Sequence, residues 1–272
     1  MNLHVLTWNL WWRFGDWRGR SKAIGRILSS ERPDVCCLQE VWTDSNTSLA
    51  QVLAEDLKLH CAFFPAVDPV IYRRRSKDAD VGIGNAILSR WPVVRKESQA
   101  LTSGECEDEG RLIGFAEIDT PGGLLPVFTT HLNSGITDSA IRVLQVAQIA
   151  DFMCRCASAE IPAILAGDFN CEPDADEIRI ITGRSKPPRS GFGLRDAWRL
   201  TRDDTGATWS RRNPHVAKTP QLPDSRIDYV FLGYPQGGRD LSIQSCATVG
   251  TEPVEGVWAS DHFGVSVKGT IV

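Results

Sequence analysis

The sequence predicts an α/β chain in which two mixed sheets pack face to face with helices on their outer sides, and three features of its 272 residues lead there. Each half holds a strand, helix, strand unit whose apolar strands end in polar residues, at 3–40 and again from the run that ends at His131 to Asn170. Between them, residues 82–132 carry successive strand-like runs broken by turn residues, the pattern of an antiparallel meander. The loops at 183–193 and 218–223 are too short and too weakly biased to be interdomain linkers, so residues 1–272 are expected to form one domain.

Leu3 to Asn9 alternates and ends in an amide, followed by Trp11, Trp12 and Trp17. Ile24, Ile27 and Leu28 then recur at helical spacing until Pro33. Asp34 to Glu40 is an apolar strand whose polar end, Gln39-Glu40, corresponds to Asn9. A second helix is expected to bury Leu49, Val52, Leu53 and Leu57, and Pro65 to Asp80 to form a long, basic surface loop. Strand character returns at Gly82–Arg90, and three more runs fill 93–132, the last ending in Thr130-His131. The longest helix, from Thr137 to about Cys156, is expected to bury Ala140, Val143, Leu144, Ala147, Ala150 and Cys154 and to turn Arg142, Gln145 and Gln148 away from the core. It leads into Ile161–Asn170, an apolar run that delivers Asp168 and Asn170. If the chain stays extended, i and i+2 face one pocket together. Arg226–Leu232 and 258–267 supply the last strands.

Composition narrows the classes. Apolar residues make up 42% and charged residues 24%, enough for a core without staples. No run approaches 18 apolar residues, so no membrane span is expected, and Met1–Val5 shows no leader pattern. Eight cysteines without Cys-x-x-Cys spacing are read as free thiols of a cytoplasmic protein. A net charge of −4 excludes a polycation that coats nucleic acid by charge alone. Any polyanion would be met locally, at Arg73-Arg74-Arg75-Ser76-Lys77 with Arg13, Arg18 and Arg20.

Asn9, Glu40, His131, Asp168 with Asn170, Asp228, and Asp261-His262 thus recur at strand ends, which points to one shared cleft. Carboxylates and amides without cysteine or clustered histidine suit Mg²⁺ or Mn²⁺ rather than zinc. Such a cation fills its shell with water and phosphate oxygens, so phosphoester hydrolysis is the chemistry these groups fit.

The segments Thr7-Trp8-Asn9, Leu38-Gln39-Glu40, Thr130-His131-Leu132, Gly167-Asp168-Phe169-Asn170, Arg226-Ile227-Asp228-Tyr229 and Ser260-Asp261-His262 occur in this order across residues 3–269. Together they resemble the endonuclease/exonuclease/phosphatase superfamily, with its DNase I-like branch. The resemblance implies a four-layer α/β/β/α sandwich and a divalent-metal phosphoesterase. It implies that Glu40 is the main metal ligand, helped by Asn9 and Asp261, and that Asp168 orients or deprotonates water while Asn170 contacts phosphate. His262, oriented by Asp228, and His131 would stabilise the phosphoryl oxygens. A histidine at 131 resembles DNase I, sphingomyelinases, 5-phosphatases, deadenylases and the 5′-tyrosyl-DNA phosphodiesterase more than the abasic-site endonucleases. The acid that DNase I pairs with that histidine has no counterpart in the sequence, where Asn85 lies nearest, so a less basic His131 is expected.

The leading expectation is a monomeric phosphodiesterase acting on nucleic acid, with Arg74 and Arg75 on the substrate side and tryptophans stacking on bases or packing at the rim. A phosphatase of a sugar or inositol phosphate and a sphingomyelinase-like phospholipase are the alternatives among enzymes, the lipid version ranking last for want of an exposed apolar hairpin. A catalytically dead binding module is the alternative outside them, and the presence of Glu40, Asp168 and His262 argues against it.

Overall fold

A computed structural model of the chain describes residues 1–67, 72, 80–105, 108–156, 161–217, 222–235 and 238–272. The expected basic loop residues Arg74 and Arg75 lie outside the described residues.

Among the described residues, twelve strands form two six-stranded mixed sheets. The first holds β1 (Asn2–Asn9), β2 (Val35–Thr43), β3 (His60–Pro65), β4 (Gly82–Ser89), β11 (Leu241–Val249) and β12 (Gly264–Ile271), in the order β11-β12-β1-β2-β4-β3. The second holds β5 (Val93–Ala100), β6 (Leu112–Thr120), β7 (Gly123–His131), β8 (Ile164–Asp168), β9 (Leu194–Asp196) and β10 (Asp228–Gly233), in the order β5-β6-β7-β8-β10-β9. Of the described pairs, β1 with β2 and β7 with β8, each joined through a long helix, run parallel. A crossover helix is what lets neighbouring strands point the same way.

The helices cover the outer faces. α1 (Trp17–Glu31) and α2 (Leu49–Leu57) pack on the first sheet, and α3 (Ser139–Cys156) and α4 (Asp176–Ile181) on the second, while α5 (Ala197–Thr201) follows β9 directly. The order of layers is helix, sheet, sheet, helix, a DNase I-like α/β/β/α sandwich. Ser48 and Gln51 close a capping box on α2.

Strand periodicity of two explains why polar tips meet. Leu3 and Val5 of β1 enter the core between the sheets, whereas Leu6 and Trp8 pack outward under α1 and α2. Asn9 therefore inherits the inward direction. Ile164 and Ala166 of β8, Val230 and Leu232 of β10, and Leu125 and Val127 of β7 also face inward, which aims Asp168, Asp228 and His131 at the same seam. Between the layers Gln39 donates to Thr129 of the opposite sheet (3.1 Å).

Several elements differ from expectation. β3, β9, β11, α4 and α5 were not anticipated. β2 does not stop at Glu40 but runs to Thr43, with Gln39 and Glu40 both set against Asn85 in a bulge between Leu38 and Val41. Glu40 sits there at φ 50°, a left-handed conformation that turns its side chain off the pleat. In α3 the buried face is rotated from the expected one. Leu144 and Cys154 are exposed, and Arg142, Gln145, Val146, Ile149, Phe152 and Met153 are buried. Apolar periodicity misses this because Arg142 and Gln145 are satisfied inside, Arg142 by Glu177 (2.8 Å) and Gln145 by Asn133 (2.8 Å) and the Thr102 carbonyl (2.9 Å). Val52 of α2 is likewise exposed rather than buried.

Candidate active site

The seam between the sheets opens at one end into a cleft of about 570 Å³, lined by Asn9, Glu40, His131, Asp168, Asn170, Asp261 and His262 among others. β8 and β10 are antiparallel with Asp168 directly opposite Asp228, so one strand supplies its last residue and the other its first. Asp261 and His262 reach the same edge because they precede β12, which runs antiparallel to β1. Gly167 is demanded by this construction, since a Cβ there would lie 2.0 Å from the Thr130 carbonyl oxygen.

Asp168 is the hub. Its Oδ2 accepts from Asn9 Nδ2 (2.9 Å) and lies 3.3 Å from His131 Nε2 and 3.8 Å from His262 Nε2. Its Oδ1 accepts from the Asn170 backbone N–H (2.9 Å). Asn170 therefore reaches the cleft by a different route from the expected extended pleat. The strand ends at Asp168, Asn170 turns at φ 52°, and its amide donates to the Leu132 carbonyl (3.0 Å). Burial, with the facing charge of Asp228 added, pushes the Asp168 carboxyl up to about 7.

His262 Nδ1 meets Asp228 Oδ2 at 2.9 Å. Burial would depress the ring, but the charges of Asp228 and Asp168 outweigh it and hold His262 well above the usual histidine range. The segment is fixed by Trp8, whose indole donates to the His262 carbonyl (2.9 Å), and by Ser260, whose hydroxyl donates to the Asn9 carbonyl (2.7 Å). The Trp209 ring stands edge-on to His262 at 5.0 Å.

His131 has the opposite character. Burial and then the Arg111 and His262 charges push it well below the usual range. Its Nδ1 lies 2.7 Å from Arg111 Nη1, not against Asn85. Asn85 lines a small adjoining pocket with Glu40, Tyr72, Glu109, Arg111 and His131. Arg111 is in turn gripped by Glu109, which accepts from Ser134. Arg111 and Glu109 were missed by sequence reading. The one signal for them was an acid and a base flanking Gly110 just before an apolar strand, a pattern more typical of a surface turn.

Glu40 Oε1 accepts from the Tyr72 hydroxyl (2.9 Å), while Oε2 is buried with no hydrogen-bond partner. Asp261 is pushed up to about 7, by burial first and then by the Glu40 charge against the pull of His262 and Arg20. Two carboxylates that repel each other, one with an orphaned oxygen, are a donor set that fits a hard cation. Asn9 stands between them and Asp168, its Oδ1 accepting from the Trp11 N–H (2.9 Å). A competing cluster, Asp168, Asp228 and His262, also offers three ligand atoms within 4.8 Å of one another, and Asp228 Oδ1 is unpartnered. In that cluster His262 Nδ1 is already engaged by Asp228 Oδ2, whereas Glu40 and Asp261 offer the all-oxygen donors that a hard cation takes.

The arginines expected beside the basic loop do other work. Arg20 is 2% exposed and donates to the carbonyls of Leu10, Trp11, Trp12, Phe14 and Ala259, which ties the turn after β1 in place. Arg13 pairs with Asp44 (2.7 Å) and lies between the rings of Trp17 and Trp42, and Arg18 covers Trp17. Trp12 is buried; of the three tryptophans after β1, Trp11 alone lines the cleft, packed on His215 at 4.4 Å.

A family model described as the Endonuclease/Exonuclease/phosphatase family matches residues 6–262. Among curated proteins, a putative neutral sphingomyelinase of Drosophila melanogaster is 24% identical, the match covering 98% of this chain and 60% of that protein. Sphingomyelin phosphodiesterase 2 of Homo sapiens is 25% identical over 89% of this chain and 58% of its own. The chain thus spans about 60% of the length of these relatives. Among solved structures, D. rerio TDP2 complexed with a single-strand DNA product superposes with a TM-score of 0.77 at 21% identity, covering 99% of both chains. The human Nocturnin catalytic domain with bound sulfate gives 0.74 at 20% identity, covering 100% of this chain and 95% of that one. These two likenesses are likenesses of fold.

Proposed function

Starting from a chain that belongs to the Endonuclease/Exonuclease/phosphatase family, we propose that it hydrolyses a phosphodiester by in-line attack of water at the seam between its sheets. The observation that carries this reading is Asp168, a buried carboxylate at the centre of Asn9, Asn170, His131 and His262, held up to about 7. A group poised near neutrality takes a proton from water and releases it again within the working pH range. His262, cationic through Asp228, donates from Nε2 to a phosphoryl oxygen as charge builds there, and His131 donates from the other side. Glu40, Asp261 and Asn9 would hold the cation, and their oxygen donors suit Mg²⁺ or Mn²⁺. When bound, that cation supplies positive charge to the phosphoryl and leaving oxygens.

Among substrates, the cleft chemistry is common to nucleic acid and lipid diesters. The nucleic-acid reading draws on the fold shared with TDP2, described with a DNA product, and on Trp11 as a stacking ring at the mouth. The sphingolipid reading draws on the curated relatives, and on Phe14, Ile136 and Leu222, apolar residues of the same cleft, with Ile136 largely exposed. The relatives give it more weight than the residues alone did.

Purified protein should turn over bis-p-nitrophenyl phosphate with Mg²⁺ or Mn²⁺ and stop with EDTA, and should prefer it to p-nitrophenyl phosphate. Preference for the monoester would move the assignment to a phosphatase, and no turnover of either would leave a binding module. Release of phosphocholine from sphingomyelin in detergent micelles, against cleavage of a short oligonucleotide, separates the two diester classes.

A further inference from the structure

His131 is set up unlike its neighbour His262. Each ring presents Nε2 to Asp168, at 3.3 and 3.8 Å, but the far nitrogens meet opposite chemistry. His262 Nδ1 meets a carboxylate, whereas His131 Nδ1 meets the Arg111 guanidinium at 2.7 Å. A guanidinium has five N–H donors and no acceptor. A hydrogen bond at that distance therefore requires an unprotonated Nδ1, which leaves the neutral ring's single proton on Nε2.

We propose that Arg111 is a positioning residue that locks His131 in the neutral Nε2–H tautomer, so that the ring acts as a fixed hydrogen-bond donor to the scissile phosphate and neither gives up nor takes a proton. This rests on the phosphodiesterase reading for its substrate, but not for its tautomer.

The guanidinium is held for this task. Glu109 binds Arg111 through Nε (2.8 Å) and Nη2, and Glu109 itself accepts from the Ser134 N–H (3.0 Å) and hydroxyl (2.9 Å). Arg111 and His131 are 6% and 4% exposed, so neither can swing into solvent without opening the wall of the cleft. The charged and titratable groups around the ring are Arg111 with Glu109 ahead of β6, Asp168 at the end of β8, and His262 ahead of β12. Tyr72 and Glu40 share the adjoining pocket. Asp168 favours a proton on Nε2, and Arg111 and His262 disfavour a second one on Nδ1, so the surroundings agree on one tautomer. The two histidines then divide the labour: one carries a charge, and the other presents a dipole without adding another cation beside Arg111.

The test is long-range ¹H–¹⁵N correlation on protein labelled with ¹⁵N-histidine, with the His131 signals assigned by their loss in His131→Asn. The expected result is a pyridine-like Nδ1 and a pyrrole-like Nε2, unchanged from about pH 6 to 8, the interval across which an unperturbed histidine titrates. A protonated Nδ1, or a cationic ring in that range, overturns the proposal whether or not any diester is turned over. Arg111→Met should bring a mixture of tautomers and lower kcat on bis-p-nitrophenyl phosphate by about 10–100-fold, the usual effect of losing a partner behind a functional imidazole. Arg111→Gln, which can still donate, should restore the Nε2–H form and most of kcat, which a merely structural loss would not. Arg111→Glu should force the proton onto Nδ1 and bring ring titration into the measured range. Should Arg111→Met keep the wild-type tautomer and rate, Arg111 has no such role.

Discussion

Asp168→Asn should separate catalysis from stability in a pH-dependent way. Asp168 is 1% exposed and its carboxyl is held up to about 7, against 3.8 for an unperturbed aspartate. A folded-state pKa raised above the unfolded one means that the native state keeps a proton the unfolded chain has already lost. Stability from this group is therefore full below about pH 4 and falls as pH rises toward 7. From pH 5 to 7 that is two units at about 1.4 kcal/mol each, so wild type should lose nearly 3 kcal/mol (about 2.7) between pH 5 and 8 from this group. The asparagine variant has no such term. Its own lost contacts, an acceptor turned into a donor facing Asn9 and His131, are the same at both pH values and cancel from the difference. Urea unfolding of both proteins at pH 5 and 8 measures that difference. The variant should gain on wild type by about 2–3 kcal/mol over the interval while kcat falls more than about 10²-fold. Parallel stability profiles would show that Asp168 ionises normally and would remove the reason for assigning it the base.

Other perturbations follow from the same geometry. Asp228→Asn removes the charge facing His262 Nδ1 at 2.9 Å, so the His262 titration followed by NMR should move down; an unmoved His262 would mean that Asp228 does not hold it. His262→Ala should lower kcat more than about 10²-fold with KM little changed, the pattern of a donor used in the transition state, and near wild-type rates would refute its role. Glu40→Gln keeps the Tyr72 contact but removes a charge from the proposed cation seat, so metal affinity by calorimetry should weaken at least about 10-fold. Arg20→Met leaves five carbonyls without their buried donor and should cost more than about 3 kcal/mol in urea unfolding; a loss under 1 kcal/mol, by the same scale, would show that water replaces it.

What the sequence made legible was whatever period two or local turn chemistry controls. Asn9, His131, Asp168 and Asp228 could be placed at one edge because alternation along their own strands aims them inward, and the strand, helix, strand units imply parallel neighbours. What it concealed depends on partners far along the chain. Glu40 reads as a strand end, but a bulge opposite Asn85 turns it into the cleft in mid-strand. Arg142 and Gln145 read as surface residues, because nothing local announces that Glu177 and Asn133 await them inside. Arg20 reads as part of a basic patch until its carbonyl partners are seen, one of them 239 residues away. Arg111 reads as one half of a turn, and only the pairing of β6 with β7 brings it onto His131.

Anomalous diffraction from a crystal soaked in Mn²⁺ tests the central assignment most directly. One peak should lie within about 2.0–2.2 Å of Glu40 Oε2, the spacing of a small hard cation and an oxygen ligand, with Asp261 beside it. A peak seated instead on Asp168, Asp228 and His262, or none at the seam, would contradict the division of this cleft into a cation seat and a water-activating carboxylate.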